Sequence, residues 1–261
     1  MNESNGKYAG MKAVVTGGTH GMGLGIVTAL LDGGAEVVLT GRSEKALEEA
    51  RVALAGRAAH VVRADAADPA DVDALGVLVG ETLGQVDAVF VNHGIAEVDQ
   101  PLEDVTAAAF DRQFGVNTRG VFFTVQRLAP LVRDGGAFVF TTVANGRVFP
   151  GMSVYSGSKD AVRAFAKVFA AEFLPRRIRV NSVAPGFIKT PTMGVAGMTD
   201  AERAAFEEQG SVLTPLQRMG TVEEVARAAL FLAFDATFTT AAELPFDGGG
   251  WGQGITPPEQ G

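Results

Sequence analysis

Tyr155 and Lys159 are four positions apart in the run Tyr155-Ser156-Gly157-Ser158-Lys159. On a helix that spacing puts both side chains on one face. A free phenol has a pKa of about 10, too high for easy proton exchange at neutral pH. A neighbouring ammonium favours the phenolate and is expected to pull that value down. The pair is thus a candidate proton donor and acceptor, tuned toward working pH. The chain has only two tyrosines, and the other, Tyr8, falls in a polar N-terminal stretch. An isolated pair of this kind is more simply a surface tyrosine beside a solvated lysine, so its surroundings in the sequence decide.

Short apolar runs alternate with amphipathic segments along the chain. Ala13-Val14-Val15, Glu36-Val37-Val38-Leu39, His60-Val61-Val62, Ala88-Val89-Phe90-Val91, Ala137-Phe138-Val139-Phe140 and Arg179-Val180-Asn181-Ser182-Val183 predict buried strands. Segments such as 24–31, 44–54 and 72–83 have helical spacing. This alternation predicts an α/β fold, a doubly wound parallel sheet covered on both faces, as one Rossmann-type domain over residues 1–261. Residues 1–9 and 256–261 are expected to be frayed tails, and 191–213, rich in Met, Gly, Ala and Glu, a substrate lid containing a short helix.

The composition excludes several function classes. A formal charge of -8 and the lack of any basic run argue against nucleic acid as a partner. There is no cysteine, which removes disulfides, thiolate catalysis and cysteine metal sites, and no metal site is expected. No apolar stretch approaches the roughly 20 residues that span a bilayer. The first residues carry no apolar signal region, so a cytoplasmic protein without a membrane partner is the default. No G-x-S-x-G elbow follows a strand, which excludes a Ser–His–Asp hydrolase of that type.

After the first strand comes Thr16-Gly17-Gly18-Thr19-His20-Gly21-Met22-Gly23, opening the first helix. Glycines here permit a tight turn and let backbone N–H groups approach a pyrophosphate at a helix N-terminus. The second strand ends Leu39-Thr40-Gly41-Arg42-Ser43. An acid at that strand end would hold a ribose 2′-OH, whereas an Arg accommodates a 2′-phosphate. The acid is missing and Arg42 is present, so NADP(H) is favoured over NAD; a guanidinium forks well onto phosphate, and His20 adds a donor.

Together these motifs resemble the short-chain dehydrogenase/reductase family, from about Lys12 to Trp251. The resemblance rests on Gly17, Gly21 and Gly23 in the nucleotide loop, Asp65-Ala66 after the third strand, and Val91-Asn92-His93-Gly94 where the family usually has Asn-Asn-Ala-Gly. It continues through Val116-Asn117, Tyr155-xxx-Lys159, Asn181 to Thr190, Pro215 to Gly220 and Phe246-Asp247-Gly248-Gly249. Three departures stand out. Thr142 occupies the place of the family's catalytic serine, thirteen residues before Tyr155, bringing the same hydroxyl with a methyl group and a stiffer χ1. His93 replaces a small residue. Ala241 stands where the family often has Gly, a change expected to matter little for chemistry.

The resemblance implies reversible hydride transfer between nicotinamide and a carbonyl or alcohol carbon, with Asn117, Thr142, Tyr155 and Lys159 as the catalytic set. Thr142 and Tyr155 would hydrogen-bond the carbonyl oxygen, Lys159 would lower the Tyr155 pKa and hold the ribose, and Asn117 would anchor a water that relays protons. Gly17, Thr19, His20, Gly21, Met22, Gly23, Arg42, Asp65, Ala66, Asn92, Gly94, Tyr155, Lys159, Pro185, Gly186, Ile188 and Thr190 would line the cofactor. His93, Val148, Met152, Phe187 and Met193 are candidates for the substrate side, with Phe149, Val195 and Met198 extending an apolar wall. An apolar or aromatic ketone suits that wall. The family usually forms homo-tetramers, and Ala161, Ala164, Phe165, Val168 and Phe169 give a face consistent with helix packing. Two other readings keep the fold: a nucleotide-binding sensor or scaffold without turnover, favoured only by Thr142, and a lyase or epimerase, whose larger substrate domain this chain has no room for.

Overall fold

The structure is a computed structural model and describes residues 6–145, 149–190 and 199–250. Strand β1 (Lys12–Thr16) leads into helix α1 (Gly21–Asp32), followed by β2 (Glu36–Gly41), α2 (Glu44–Ala53), β3 (Ala59–Arg63), α3 (Pro69–Thr82) and β4 (Val86–Val91). Helix α4 (Ala107–Phe114) runs through a π-helical stretch, Gly115–Gly120, into α5 (Val121–Leu128). Then come β5 (Val132–Thr141), α6 (Ser153–Glu172), β6 (Arg179–Pro185), the short β7 (Ile188–Lys189), α7 (Asp200–Leu213), the short β8 (Gly220–Thr221), α8 (Val222–Leu230) and β9 (Glu243–Phe246).

Seven strands form one sheet in the order β3-β2-β1-β4-β5-β6-β9, and each pairing is parallel. This is the doubly wound topology that the strand–helix alternation predicts. The order reverses between β1 and β4, which opens a crevice beyond the carboxyl ends of the strands. β7 and β8 make a separate two-stranded ladder.

The continuous apolar runs arise because both faces of the sheet are covered. Ala13, Val15, Val37, Leu39, Ala88, Phe90, Ala137 and Val139 share one core with Ile26 and Leu30 of α1 and Val225 and Ala229 of α8. Their neighbours Val14, Val38, Val89, Val91, Phe138 and Phe140 share the other with α3, α5 and α6. Phe90, Phe138 and Phe140 are withdrawn from water, each contributing about 1.5–3 kcal/mol.

One expectation is corrected. The described part of the N-terminal stretch is not frayed: Tyr8 N–H donates to Gly33 O at 2.7 Å, and its ring packs tilted against Phe234, centroids 5.0 Å apart, with only 9% exposure. A single large ring closes the end of one core, which composition alone does not reveal. Residues 1–5 and 256–261 lie outside the described residues. In the 191–213 stretch, α7 takes up Asp200–Leu213 and packs Phe206 edge-on against Phe187 at 5.6 Å, while 191–198 lie outside the described residues. Among the described residues no helix is long and apolar enough to cross a membrane.

Entry into β9 is held by Asn181, whose Nδ2 donates to Thr239 O at 2.9 Å and whose Oδ1 accepts from Ala242 N–H at 3.1 Å. To meet it, Ala241 adopts φ of 59°. A Cβ crowds the carbonyl in that left-handed region, so the residue matters to the backbone even though it is remote from the chemistry. Ala241→Gly is expected to raise unfolding free energy by about 1 kcal/mol. Urea denaturation should show the shift in midpoint; a midpoint unchanged or lowered would mean that no strain resides there.

Candidate active site

The nucleotide loop lies between the ends of β1 and α1. At Gly23 a Cβ would sit 2.1 Å from Gly17 O, so only glycine lets the first helical turn close on the loop. Asn92 at the end of β4 secures this turn: its Nδ2 donates to Gly17 O at 3.1 Å, and its Oδ1 accepts from Thr141 Oγ1 at 3.0 Å. Helix α1 starts at His20 with no side-chain cap and no acid in its first turn. Helices α2, α3, α4, α7 and α8 are all capped by a side-chain oxygen. The amides of α1 are therefore left for an anion, which fits a dinucleotide pyrophosphate. Thr19 Oγ1 lies 3.2 Å from His20 Nδ1, His20 is exposed, and Met22 packs on the core beneath.

Arg42 is exposed at the end of β2 and has no hydrogen bond or ion pair among the described residues. Asp65 caps its own turn by accepting from Ala67 N–H at 2.9 Å, and Arg119 in the π-helical stretch donates to Ala67 O at 2.9 Å. That brings the Asp65-Ala66 turn alongside the crevice. Thr190, after β7, faces Gly21 across it, and Ile188 is buried in the β7–β8 ladder. Pro185 O accepts from Ala144 N–H at 3.0 Å, and Gly186 N–H donates to Phe246 O at 3.1 Å.

His93 is hydrogen-bonded to the end of β1, next to the nucleotide loop. Its Nδ1 is 2.8 Å from Thr16 Oγ1. Thr16 Oγ1 also accepts Asn92 N–H at 3.1 Å and donates to Phe90 O at 3.4 Å. Nε2 lies beside the Val116 carbonyl but is buried without a hydrogen bond. Burial first, and then the charge of Lys159, push the imidazole down to about 3, so it is neutral at working pH.

Tyr155 and Lys159 share one face of α6. Lys159 is buried, and its Nζ donates to Thr141 O at 3.1 Å. A Cβ at Gly94 would lie 2.9 Å from that nitrogen, so the ammonium occupies room that only glycine leaves. Burial lowers the Lys159 pKa to about 8. Tyr155 goes the other way: burial raises it to about 12. Burial is the one cause of this shift, and no lowering by Lys159 accompanies it. Tyr155 is a protonated donor in this state.

Asn117 is fully buried in the π-helical stretch. Its Oδ1 accepts Ile95 N–H at 2.8 Å, and its Nδ2 donates to Ile95 O at 2.8 Å and Ser158 Oγ at 3.0 Å. Ser158 in turn donates to Tyr155 O at 2.7 Å. Asn117 therefore ties the segment after β4 to the stretch of α6 that carries Tyr155 and Lys159. Thr142 stands just beyond the end of β5, but its hydroxyl is not free: Oγ1 is 2.6 Å from Glu243 Oε1 and 3.1 Å from Val183 O.

On the substrate side, Met152 immediately precedes α6 and lines a cleft of about 520 Å³ with Phe149, Pro101, Leu102, Glu103, Ser156 and others. Tyr155 does not line it; Ser153, Ser156 and Asp160 of α6 do. Phe187 rests against α7 through Phe206 and Gly210. Val148 and Met193, with Val195 and Met198, lie outside the described residues. The sequence reading missed Thr141, Ser158, Arg163 and Glu243. Ser158 and Thr141 adjoin Lys159 and Thr142, and Arg163 repeats the Tyr155–Lys159 spacing one turn on, which is the only signal that could have found it.

Comparisons with known proteins agree with this geometry. The family described as enoyl-(acyl carrier protein) reductase matches residues 17–250. The oxidoreductase asL5 of Sarocladium schorii is 35% identical, over 93% of this chain and 96% of that protein. Versicolorin reductase 1 of Aspergillus parasiticus is 36% identical, over 94% of this chain and 98% of its own. Among solved structures, a short-chain dehydrogenase from Burkholderia cenocepacia in complex with NADP superposes with a TM-score of 0.82 at 30% identity, over 93% of this chain and 98% of that one. A glycine loop under an uncapped helix, a Tyr–Lys face and full-length likeness in sequence and fold converge: the chain belongs to the short-chain dehydrogenase/reductase family of nicotinamide-dependent oxidoreductases.

Proposed function

We propose that the chain is an NADP-dependent oxidoreductase that moves a hydride between nicotinamide and a carbonyl or alcohol carbon. The observation that carries this reading is the buried Lys159 ammonium beneath Gly94, with Tyr155 one turn earlier on α6. The cofactor supplies the hydride. In reduction, Tyr155 gives its proton to the oxygen of the substrate as the alkoxide forms. Lys159 offsets the negative charge left on the phenol and would hold the ribose hydroxyls. Asn117 would anchor the water that relays a proton back toward Lys159.

The unpaired Arg42 at the end of β2 supports a 2′-phosphate and hence NADP(H) over NAD. Phe149 and Met152 beside α6 favour an apolar or aromatic ketone. The exposed Phe123 and Val168 on α5 and α6 support assembly as a homo-tetramer through those helices. One observation favours a second reading, a nucleotide-binding sensor of the same fold without turnover: the Thr142 hydroxyl is already bonded to Glu243. A chain that binds NADPH but turns over none of a broad panel of ketones and alcohols would establish that reading instead.

Tyr155→Phe is expected to lower kcat by at least about a hundredfold while NADPH affinity stays within about twofold. Steady-state rates and a fluorescence titration of NADPH check both halves, and full turnover by the variant would remove the mechanism. Arg42→Asp should shift the NADPH-to-NADH preference, as a ratio of kcat/KM, by about tenfold or more toward NADH. An unmoved ratio would show that the phosphate is held elsewhere. The pH profile has a definite sign. Lys159 keeps its proton below about 8 and loses it above, while Tyr155 stays protonated to about 12. The kcat/KM for carbonyl reduction should therefore be flat near neutrality and decline above about pH 8; a profile level to pH 10 would show that the ammonium is not required.

A further inference from the structure

The end of β2 and the nucleotide loop fit closely against each other. Gly18 N–H donates to Thr40 O at 2.8 Å, and Gly17 N–H donates to Thr40 Oγ1 at 3.4 Å. A Cβ at Gly18 would lie 2.8 Å from Leu39 Cβ, so the loop rests directly on the strand. Gly41, the last residue of β2, follows Val37 and Leu39 on the face that α1 covers. Its backbone keeps the strand register, paired with Arg63, and no positive φ calls for glycine there. What calls for glycine is Thr19. A Cβ at position 41 would lie 2.6 Å from Thr19 Cγ2, 2.8 Å from its Oγ1 and 3.2 Å from its Cβ.

Thr19 cannot swing clear. It is buried, and its Oγ1 lies 3.2 Å from His20 Nδ1. Both of its heavy γ atoms face Gly41, so only hydrogen occupies the third staggered position about Cβ. Any other rotamer brings that hydrogen to one of the two near positions and leaves a heavy atom at the other. A dinucleotide site that reads a bare ribose does so with a carboxylate at this strand end, whereas one that reads a 2′-phosphate has to keep that carboxylate away. We propose that Thr19 is a specificity residue for the cofactor: it fills the space of a side chain at position 41 and so bars the carboxylate that would accept a 2′-OH. Discrimination against NAD is then enforced by packing, apart from the charge of Arg42. The proposal rests on the NADP reading above and adds to it a residue that acts by steric exclusion.

The test is a double-mutant cycle on the full chain, read by binding: fluorescence titration of NADPH and of NADH, with adenosine 2′,5′-bisphosphate and 5′-AMP as competitors. Gly41→Asp alone should weaken both dinucleotides by about tenfold or more, because the carboxylate arrives only by displacing the loop. Gly41→Asp combined with Thr19→Ala should bind NADH about tenfold or more tighter than wild type does, and 5′-AMP should gain in parallel. An equal gain in NADH affinity for Gly41→Asp with and without Thr19→Ala would overturn the proposal, as would a double variant with no gain at all. Should Gly41→Asp fail to fold, Gly41→Ala adds the Cβ alone. It should weaken NADPH by about tenfold with Thr19 in place and by less than about twofold in the Thr19→Ala background; equal weakening in both would likewise overturn the proposal. Wild-type chain that binds NADH as tightly as NADPH would remove the NADP reading, a result separate from additivity in a chain that prefers NADPH.

Discussion

Withdrawing one ammonium from water sets the terms for the rest of the site. Lys159 is buried at the carboxyl ends of the strands, and a cation there requires oxygen around it. The structure supplies Thr141 O directly, with Asn117 and Gly94 making the space. Each of these is fixed in turn: Thr141 by its bond to Asn92, Asn117 by both polar groups of Ile95, and Gly94 by following the strand that Asn92 ties to the nucleotide loop. The folded state carries the cost of this arrangement below about pH 8, where Lys159 is charged both folded and unfolded. That cost lifts as pH rises toward 10.5, where the unfolded lysine also loses its proton.

The same strand ends join two halves of the crevice. β1 and β4 bring the glycine loop and Asn92 together, while β5, β6 and β9 bring Thr142, Val183 and Glu243 together. Helix α6 spans both: Tyr155 and Lys159 face the first group and Arg163 the second. The π-helical stretch between α4 and α5 serves the same end. One widened turn turns Asn117 inward to bond both Ile95 and Ser158, joining the segment after β4 to α6.

Much of this was legible from the residues. Apolar runs such as Ala88-Val89-Phe90-Val91 announce strands buried on both faces, because neither face allows a polar alternation. The glycine loop and the Tyr–Lys spacing announce themselves through short-range geometry. What stayed hidden depends on contacts between distant segments. Nothing near Thr142 says that its proton goes to Glu243, one hundred and one positions away. Nothing near Tyr8 says that its ring will meet Phe234. The rise in the Tyr155 pKa stayed hidden for the same reason: spacing reports a neighbouring charge, but burial belongs to the whole fold. Nothing near His93 in the sequence says that its ring will meet the Thr16 hydroxyl on an adjacent strand.

The scarcity of phenols gives the molecule a built-in optical reporter. Tyr155 is the proposed acid of the site, and the only other tyrosine in the sequence, Tyr8, packs its ring against Phe234. Exchanging that ring for phenylalanine removes a hydroxyl that interacts with Lys7 and keeps the ring, leaving a chain in which phenolate absorbance comes from one side chain. The ionisation of a single catalytic group could then be followed by ultraviolet light in an unlabelled protein, with and without cofactor, and separately from turnover.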